Sequence, residues 1–220
     1  IYIVKSSAEI FKGESMFNRT IHTREALQEL VGTPSNLVVH KVIDSLDRHC
    51  EDFIAKSPLL LLATADKSGS CDVSPRGDQP GFVSILNQKH LLIPERRGNK
   101  RIDSLYNIRE NPHVGLIFLI PGLRETLRVN GKASIVTDEE LLAPLAVSNT
   151  IPLAGIGVEV EECFLHCGKA MIRSNLWNPA AWLLDQELPR AAEILAAHAK
   201  ITTQTEIETS LNEGYRKRLY

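Results

Sequence analysis

Aromatic residues make up only 5% of this 220-residue sequence, with two Trp and two Met, so a core has to be built from aliphatic side chains. Neither sign of charge dominates. Against 25 Lys and Arg stand 27 Asp and Glu, a formal net charge of -2. This balance excludes the broad basic face of a non-specific nucleic-acid binder, and any recognition of an anion must be local. Four cysteines, Cys50, Cys71, Cys163 and Cys167, are too few and too scattered for a secreted disulfide scaffold and are expected as reduced thiols. Long apolar runs are missing too: "PLLLLATA" and "VGLIFLIPGL" fall well short of the roughly 20 residues that span a bilayer. With no n-region, h-region and cleavage site at the start, a cytoplasmic protein is expected, with neither nucleic acid nor membrane as a partner. No repeat, low-complexity tract or Gly/Ser linker divides the chain, which favours one domain with helical decorations.

What is present is 43% hydrophobic residues, enough to bury a core, arranged in two rhythms. Residues 1–22 have little pattern and are expected as a processed segment or loosely docked arm. A helix is predicted from Arg24 to Val31, with Thr23 as its N-cap and Gly32 as its stop. A second is predicted from His40 to Lys56, where Val42, Ile43, Leu46, Cys50, Phe53 and Ile54 form one apolar stripe before Ser57-Pro58. Short apolar runs then alternate with turns: "LLLLATA", "CDVSP", "FVSIL" and "LLIPE", separated by "DKSGS", "RGDQPG" and "NQKH". Connections this short join antiparallel strands, so a barrel or sandwich is predicted. A helix ending near Glu110, strands over "HVGLIFLI" and "ETLRVNGKASIV", a helix capped by Thr137 and Glu140, and a strand over "IGVEVEECF" follow. Pro179 to about Lys200 reads as helical. The single domain is placed at 23–200, with 201–220 as a tail.

The stretch "LLIPERRGNKRIDSLYNI", residues 91–108, holds the candidate site. If Gly98-Asn99 is a turn and Lys100-Arg101 opens a helix, two cations sit at the positive end of the helix dipole, where Asp or Glu is the comfortable choice. A bound phosphate would reverse that electrostatics by collecting backbone N–H groups, the Asn99 side chain and the two cations. The competing explanation is a solvated basic corner. Ser74 and Arg76 in "CDVSPRGDQPGF" add a second cationic position, on a neighbouring strand of the same meander. Cys163, His166 and Cys167 form a C-x2-H-C cluster, but no fourth metal ligand is evident nearby, so no metal is expected.

The ordered motifs "DVSPRGDQPGFV", "LLIPERRGNKRIDSLYNIRENPHVGLIFLIPG", "ETLRVNGKA" and "HCGKAMIRSNLW" closely resemble the pyridoxamine 5'-phosphate oxidase-like, FMN-binding split-barrel family over about residues 55 to 180. The resemblance implies a mainly β fold, a six-stranded antiparallel Greek-key barrel with flanking helices, and a homodimer with FMN at the interface. It assigns the phosphate to Ser74, Arg76, Asn99, Lys100 and Arg101, and the flavin ring to the backbone of Ile93 and Pro94. Thr126 falls where the family often has a Gln near the ring. Lys169, Arg173 and Trp177 belong to the segment that reaches the cofactor late in the chain, from the other subunit.

The expected function is that of an FMN-dependent oxidoreductase acting on a small molecule, with hydride passing between flavin N5 and the substrate or a reduced nicotinamide. No catalytic residue is assigned, since no acid-base pair stands out. A non-catalytic FMN-binding or flavin-sensing protein is the alternative. Pyridoxamine phosphate oxidation is a minor reading, because the Arg-x-His substrate grip of that enzyme has no counterpart: Arg173 is followed two residues later by Asn175. A haem-handling split barrel with His166 as axial ligand is another.

Overall fold

A computed structural model describes residues 16–220, so most of the arm expected over 1–22 lies outside the described residues. The described residues fall into two compact units, one ending at His40 and the other covering residues 41–220. In the first, helix α1 (Arg24–Val31) has the ends its sequence predicts. Thr23 Oγ1 accepts from the N–H of Ala26 at 3.2 Å, and Gly32 stops the helix at φ 87°. Helix α2 (Asn36–His40) closes the unit.

The single helix expected over His40–Lys56 is not formed. Helix α3 starts only at Arg48 and runs to Lys56, because Asp47 takes the N-cap and its carboxylate accepts from Cys50 N–H at 2.8 Å. In the seven residues before it, Ile43 pairs its backbone with Cys163 instead. The apolar spacing survives this break because Leu46, Cys50, Phe53 and Ile54 are all buried, whichever backbone carries them.

Seven strands follow: β1 (Leu59–Ala65), β2 (Cys71–Gly77), β3 (Ser84–Asn87), β4 (His90–Pro94), β5 (His113–Leu119), β6 (Thr126–Val136) and β7 (Gly155–His166). They make one antiparallel sheet in the order β2-β1-β5-β6-β7-β4-β3, one strand more than the six expected. Strand-to-strand hydrogen bonds do not close it into a full barrel, and the architecture is split-barrel-like. Alternation places Leu60 and Leu62 of β1, Leu116 and Phe118 of β5, Leu91 and Ile93 of β4 and Val158 of β7 in one mainly aliphatic hydrophobic core, each at most 1% exposed. Helix α4 (Asp103–Glu110) packs Ile108 into the same core. The helix after β6, α5 (Glu139–Leu142), has Asp138 as its N-cap and no side-chain cap bond, so the capping role expected of Thr137 is not taken up. Helices α6 (Lys169–Ser174), α7 (Ala191–Ala199) and α8 (Gln204–Lys217) complete the chain, the last with a capping box between Thr203 and Glu206.

Cys163 faces the core, 3.3 Å from the Cys50 sulfur, while His166 and Cys167 are exposed. The contact with Cys50 and burial push the Cys163 thiol far up, so it stays protonated. It serves as packing between α3 and β7.

Candidate functional site

Of the residues expected to grip a phosphate, Ser74 and Arg76 lie where β2, the segment after β4 and the start of α4 converge. Arg76 projects from the end of β2, and its Nε donates to Ser74 Oγ at 3.1 Å. Ser74 Oγ lies 3.2 Å from Ser104 Oγ, a hydroxyl buried in the first turn of α4. Two hydroxyls and a guanidinium thus share one small volume. Such a donor set suits a tetrahedral oxyanion, since hydroxyls can turn their protons toward it and a guanidinium adds fixed, charged N–H bonds. Ser104 is absent from the sequence-derived set, although "RIDSL" places it three residues past Arg101; its partner is thirty residues away in sequence, and only the fold brings them together.

The loop before α4 differs from its prediction. Lys100 does not open the helix: α4 begins at Asp103, so its positive end has the acidic neighbour that sequence statistics favour. Arg101 Nε donates to Asp103 Oδ2 at 2.7 Å, and this bond lowers the Asp103 pKa below the ordinary carboxylate value. Asn99 Oδ1 accepts from the Arg101 N–H at 3.0 Å, folding the loop back on itself. The chain reaches the helix through two non-glycine residues in left-handed conformation, Lys100 at φ 62° and Ile102 at φ 48°. Each costs about 1–2 kcal/mol, more for β-branched Ile102, and such strain collects at ligand clamps. Asn99, Lys100 and Arg101 are exposed, three to five residues before Ser104 in sequence, and the side-chain bonds of Asn99 and Arg101 stay within the segment 99–103.

Asn107 fixes the helix to the strands behind this cluster. Its side-chain amide donates to Thr64 Oγ1 at 3.1 Å and to Asp72 Oδ2 at 2.9 Å, tying α4 to β1 and β2 from a position only 7% exposed. Asn107→Ala removes both bonds and strands the buried Thr64 hydroxyl. A loss of about 2 kcal/mol is expected, read as a lower denaturant midpoint at unchanged slope.

Arg76 is not a free cation. Its Nη1 donates to Glu95 Oε2, with the two side chains 15% and 24% exposed. Beside it, Arg96 Nε donates to Asp78 Oδ2 at 2.7 Å and its Nη1 to the Leu145 carbonyl at 2.8 Å. These two crossed ion pairs join the segments that leave β2 and β4, where the sheet has no ladder of its own.

A family model described as pyridoxamine 5'-phosphate oxidase matches residues 46–167, more than half of the chain. The chain belongs to this family. Among solved structures it is similar to HupZ of Group A Streptococcus (22% identity, 55% of this chain and 93% of that one, TM-score 0.45). It is also similar to a putative pyridoxamine 5'-phosphate oxidase of Lactobacillus delbrueckii (22% identity, 56% and 99%, TM-score 0.42) and to an FMN-binding protein of Syntrophomonas wolfei (10% identity, 64% and 95%, TM-score 0.41). No curated protein matches the chain.

Within this member of the pyridoxamine 5'-phosphate oxidase family, the remaining candidates fall into separate places. Ile93 and Pro94 are buried on β4, their backbone paired with Ile156 and Gly155 of β7. Thr126, 7% exposed, opens β6 opposite His166. Lys169 and Arg173 are exposed on α6, and Trp177 Nε1 donates to the Leu123 carbonyl at 2.8 Å. Gly168 allows this packing, since a Cβ there would stand 2.7 Å from Arg124 Cβ. Thr126, Trp177 and the Gly168 start of α6 lie around the entry to β6, whereas Arg76 stands on β2. The register Arg76↔Leu60↔Phe118↔Leu127 puts three strand intervals between the groups, roughly 14 Å along the sheet. Among the described residues no helix is long and apolar enough to cross a membrane.

Proposed function

We propose that this protein binds FMN, with the flavin phosphate held by Ser74, Arg76 and Ser104 and by the Asn99–Arg101 loop, and that it works as an FMN-dependent oxidoreductase on a small molecule. The observation that carries the reading is the convergence of the Ser74 and Ser104 hydroxyls with the Arg76 guanidinium in a chain of the pyridoxamine 5'-phosphate oxidase family. When bound, FMN supplies hydride exchange at flavin N5. The chain's own part is to hold the phosphate, to lay the β4 backbone at Ile93 and Pro94 along the ring, and to limit water. Flavin absorption in the purified protein, and FMN released by heat, are expected. A Soret band would instead favour haem at His166, which is exposed at the end of β7.

The separation of Thr126, Lys169, Arg173 and Trp177 from the phosphate cluster supports a homodimer in which these residues come from the second copy. A two-fold pair would make two equivalent sites, and ligand binding would strengthen the dimer by linkage. Sedimentation should find a dimer with one FMN per chain, and removal of FMN should shift the equilibrium toward monomer. A monomer that keeps full affinity would remove those four residues from the site.

A purely FMN-binding protein is the second reading, favoured by the engagement of both site carboxylates, Glu95 and Asp103, with arginines. Steady-state oxidation of a reduced nicotinamide or another donor by the holoprotein separates an enzyme from a binder.

A further inference from the structure

We infer that Glu95 is a placeholder carboxylate, which occupies the Arg76 guanidinium while the anion site is empty and is displaced by a phosphate group. The inference rests on the reading of Ser74, Arg76 and Ser104 as the phosphate site. It begins from the way the Arg76 fork is shared: Nε is on Ser74, inside the cluster, and Nη1 is on Glu95, outside it. A carboxylate and a phosphate seek the same planar N–H edge of a guanidinium, so an arriving phosphate competes with Glu95 for Arg76 and is repelled by it.

The scaffold does not need the Arg76–Glu95 pair to hold its shape. Asp78 and Arg96 join the same two segments at 2.7 Å, and Arg96 is further fixed to the Leu145 carbonyl. The Glu95 backbone is held independently, its N–H donating to the Ala154 carbonyl at 3.0 Å. The Glu95 side chain is therefore free to leave while its backbone stays, and at 24% exposure it has solvent to turn into. In the empty state it keeps Arg76 extended along β2 and neutralised. A doubly charged phosphate meets several donors at once and can outcompete it, whereas a ligand lacking that group cannot.

The opposite role, Glu95 as a positioning residue that stays on Arg76 in the bound state, predicts an effect of the opposite sign. The test measures FMN and riboflavin affinities by flavin fluorescence in wild type, Glu95→Gln and Arg76→Ala, together with melting temperatures with and without saturating FMN. Glu95→Gln should bind FMN about ten-fold more tightly and riboflavin unchanged, with the melting temperature lowered in the FMN-free form only. Glu95→Asp, which draws the carboxylate back by one methylene, should show a smaller gain of the same sign, and decides the matter if Glu95→Gln does not fold. Unchanged or weaker FMN binding in the Glu95 variants, with Arg76→Ala weakened, would overturn the placeholder and leave the phosphate site standing. No effect on FMN in either Glu95→Gln or Arg76→Ala would overturn the site, and the placeholder with it.

Discussion

Arg76→Ala is expected to weaken FMN binding about ten- to a hundred-fold, equivalent to 1.5–3 kcal/mol, and to leave riboflavin binding within roughly two-fold. The loss is that of a charge-assisted bond from a half-buried guanidinium, which in this fold is already aimed by Ser74. Riboflavin has no phosphate and so has nothing to lose. The Arg76 side chain is 15% exposed against 75% for Arg101, so its bond is less screened by solvent and its removal should cost more than removal of Arg101. Isothermal titration of both flavins against folded variant protein measures the two affinities. Equal losses for FMN and riboflavin would mean that Arg76 supports the fold of the site rather than the phosphate.

Gly131→Ala should destabilise the protein by about 3 kcal/mol or more, a fall of roughly 10 °C in melting temperature for a unit of this size. A Cβ at this position would lie 2.0 Å from the Glu159 carbonyl oxygen and 2.9 Å from its carbon, and both atoms are backbone that no rotamer change can move. The contact sits at the register shift between Asn130 and Gly131 in the β6–β7 ladder. Relief requires opening the β6–β7 ladder, the longest in the sheet, on which the core residues Val129, Ala133 and Val158 depend. Gly98 is the control. Nothing lies within 4 Å of a Cβ there, so Gly98→Ala should stay within about 0.5 kcal/mol of wild type. Thermal melts followed by circular dichroism compare the two.

The strand content was legible because each strand carries its own signal: alternating or continuous apolar runs bounded by Gly, Pro, Asn and Asp. Helix α1 was legible to the residue, since Thr23 and Gly32 are both local signals. The misreadings arise where a local pattern has two explanations. Between His40 and Lys56 an apolar stripe persists across a break, because Ile43 follows the sheet and Leu46 the core, while the capping carboxylate of Asp47 starts the helix in mid-stripe. At Lys100-Arg101 the helix start was placed three residues early. A left-handed Ile102 gives no warning in sequence, because β-branched residues almost never adopt that conformation.

At the site, sequence supplied the cations and the fold supplied their partners. Ser74 and Arg76 were named from their motif, yet Ser104, Glu95 and Asn107 acquire meaning only through contacts at sequence separations of 30, 19, and 43 and 35 residues. A charge seen in sequence carries no indication of whether it is already neutralised. Arg76 and Arg96 both are, and this turns an apparent run of free cations into two crossed ion pairs with one fork poised over the hydroxyl cluster.

Recognition of the flavin phosphate is measured by a paired titration of flavin-free protein with FMN and with riboflavin. Both ligands carry the same ring, so only the phosphate differs. Wild-type protein should prefer FMN by about a hundred-fold or more, from several charge-assisted bonds, and the preference should shrink in Arg76→Ala. Equal affinities for the two flavins in the wild-type protein would contradict it.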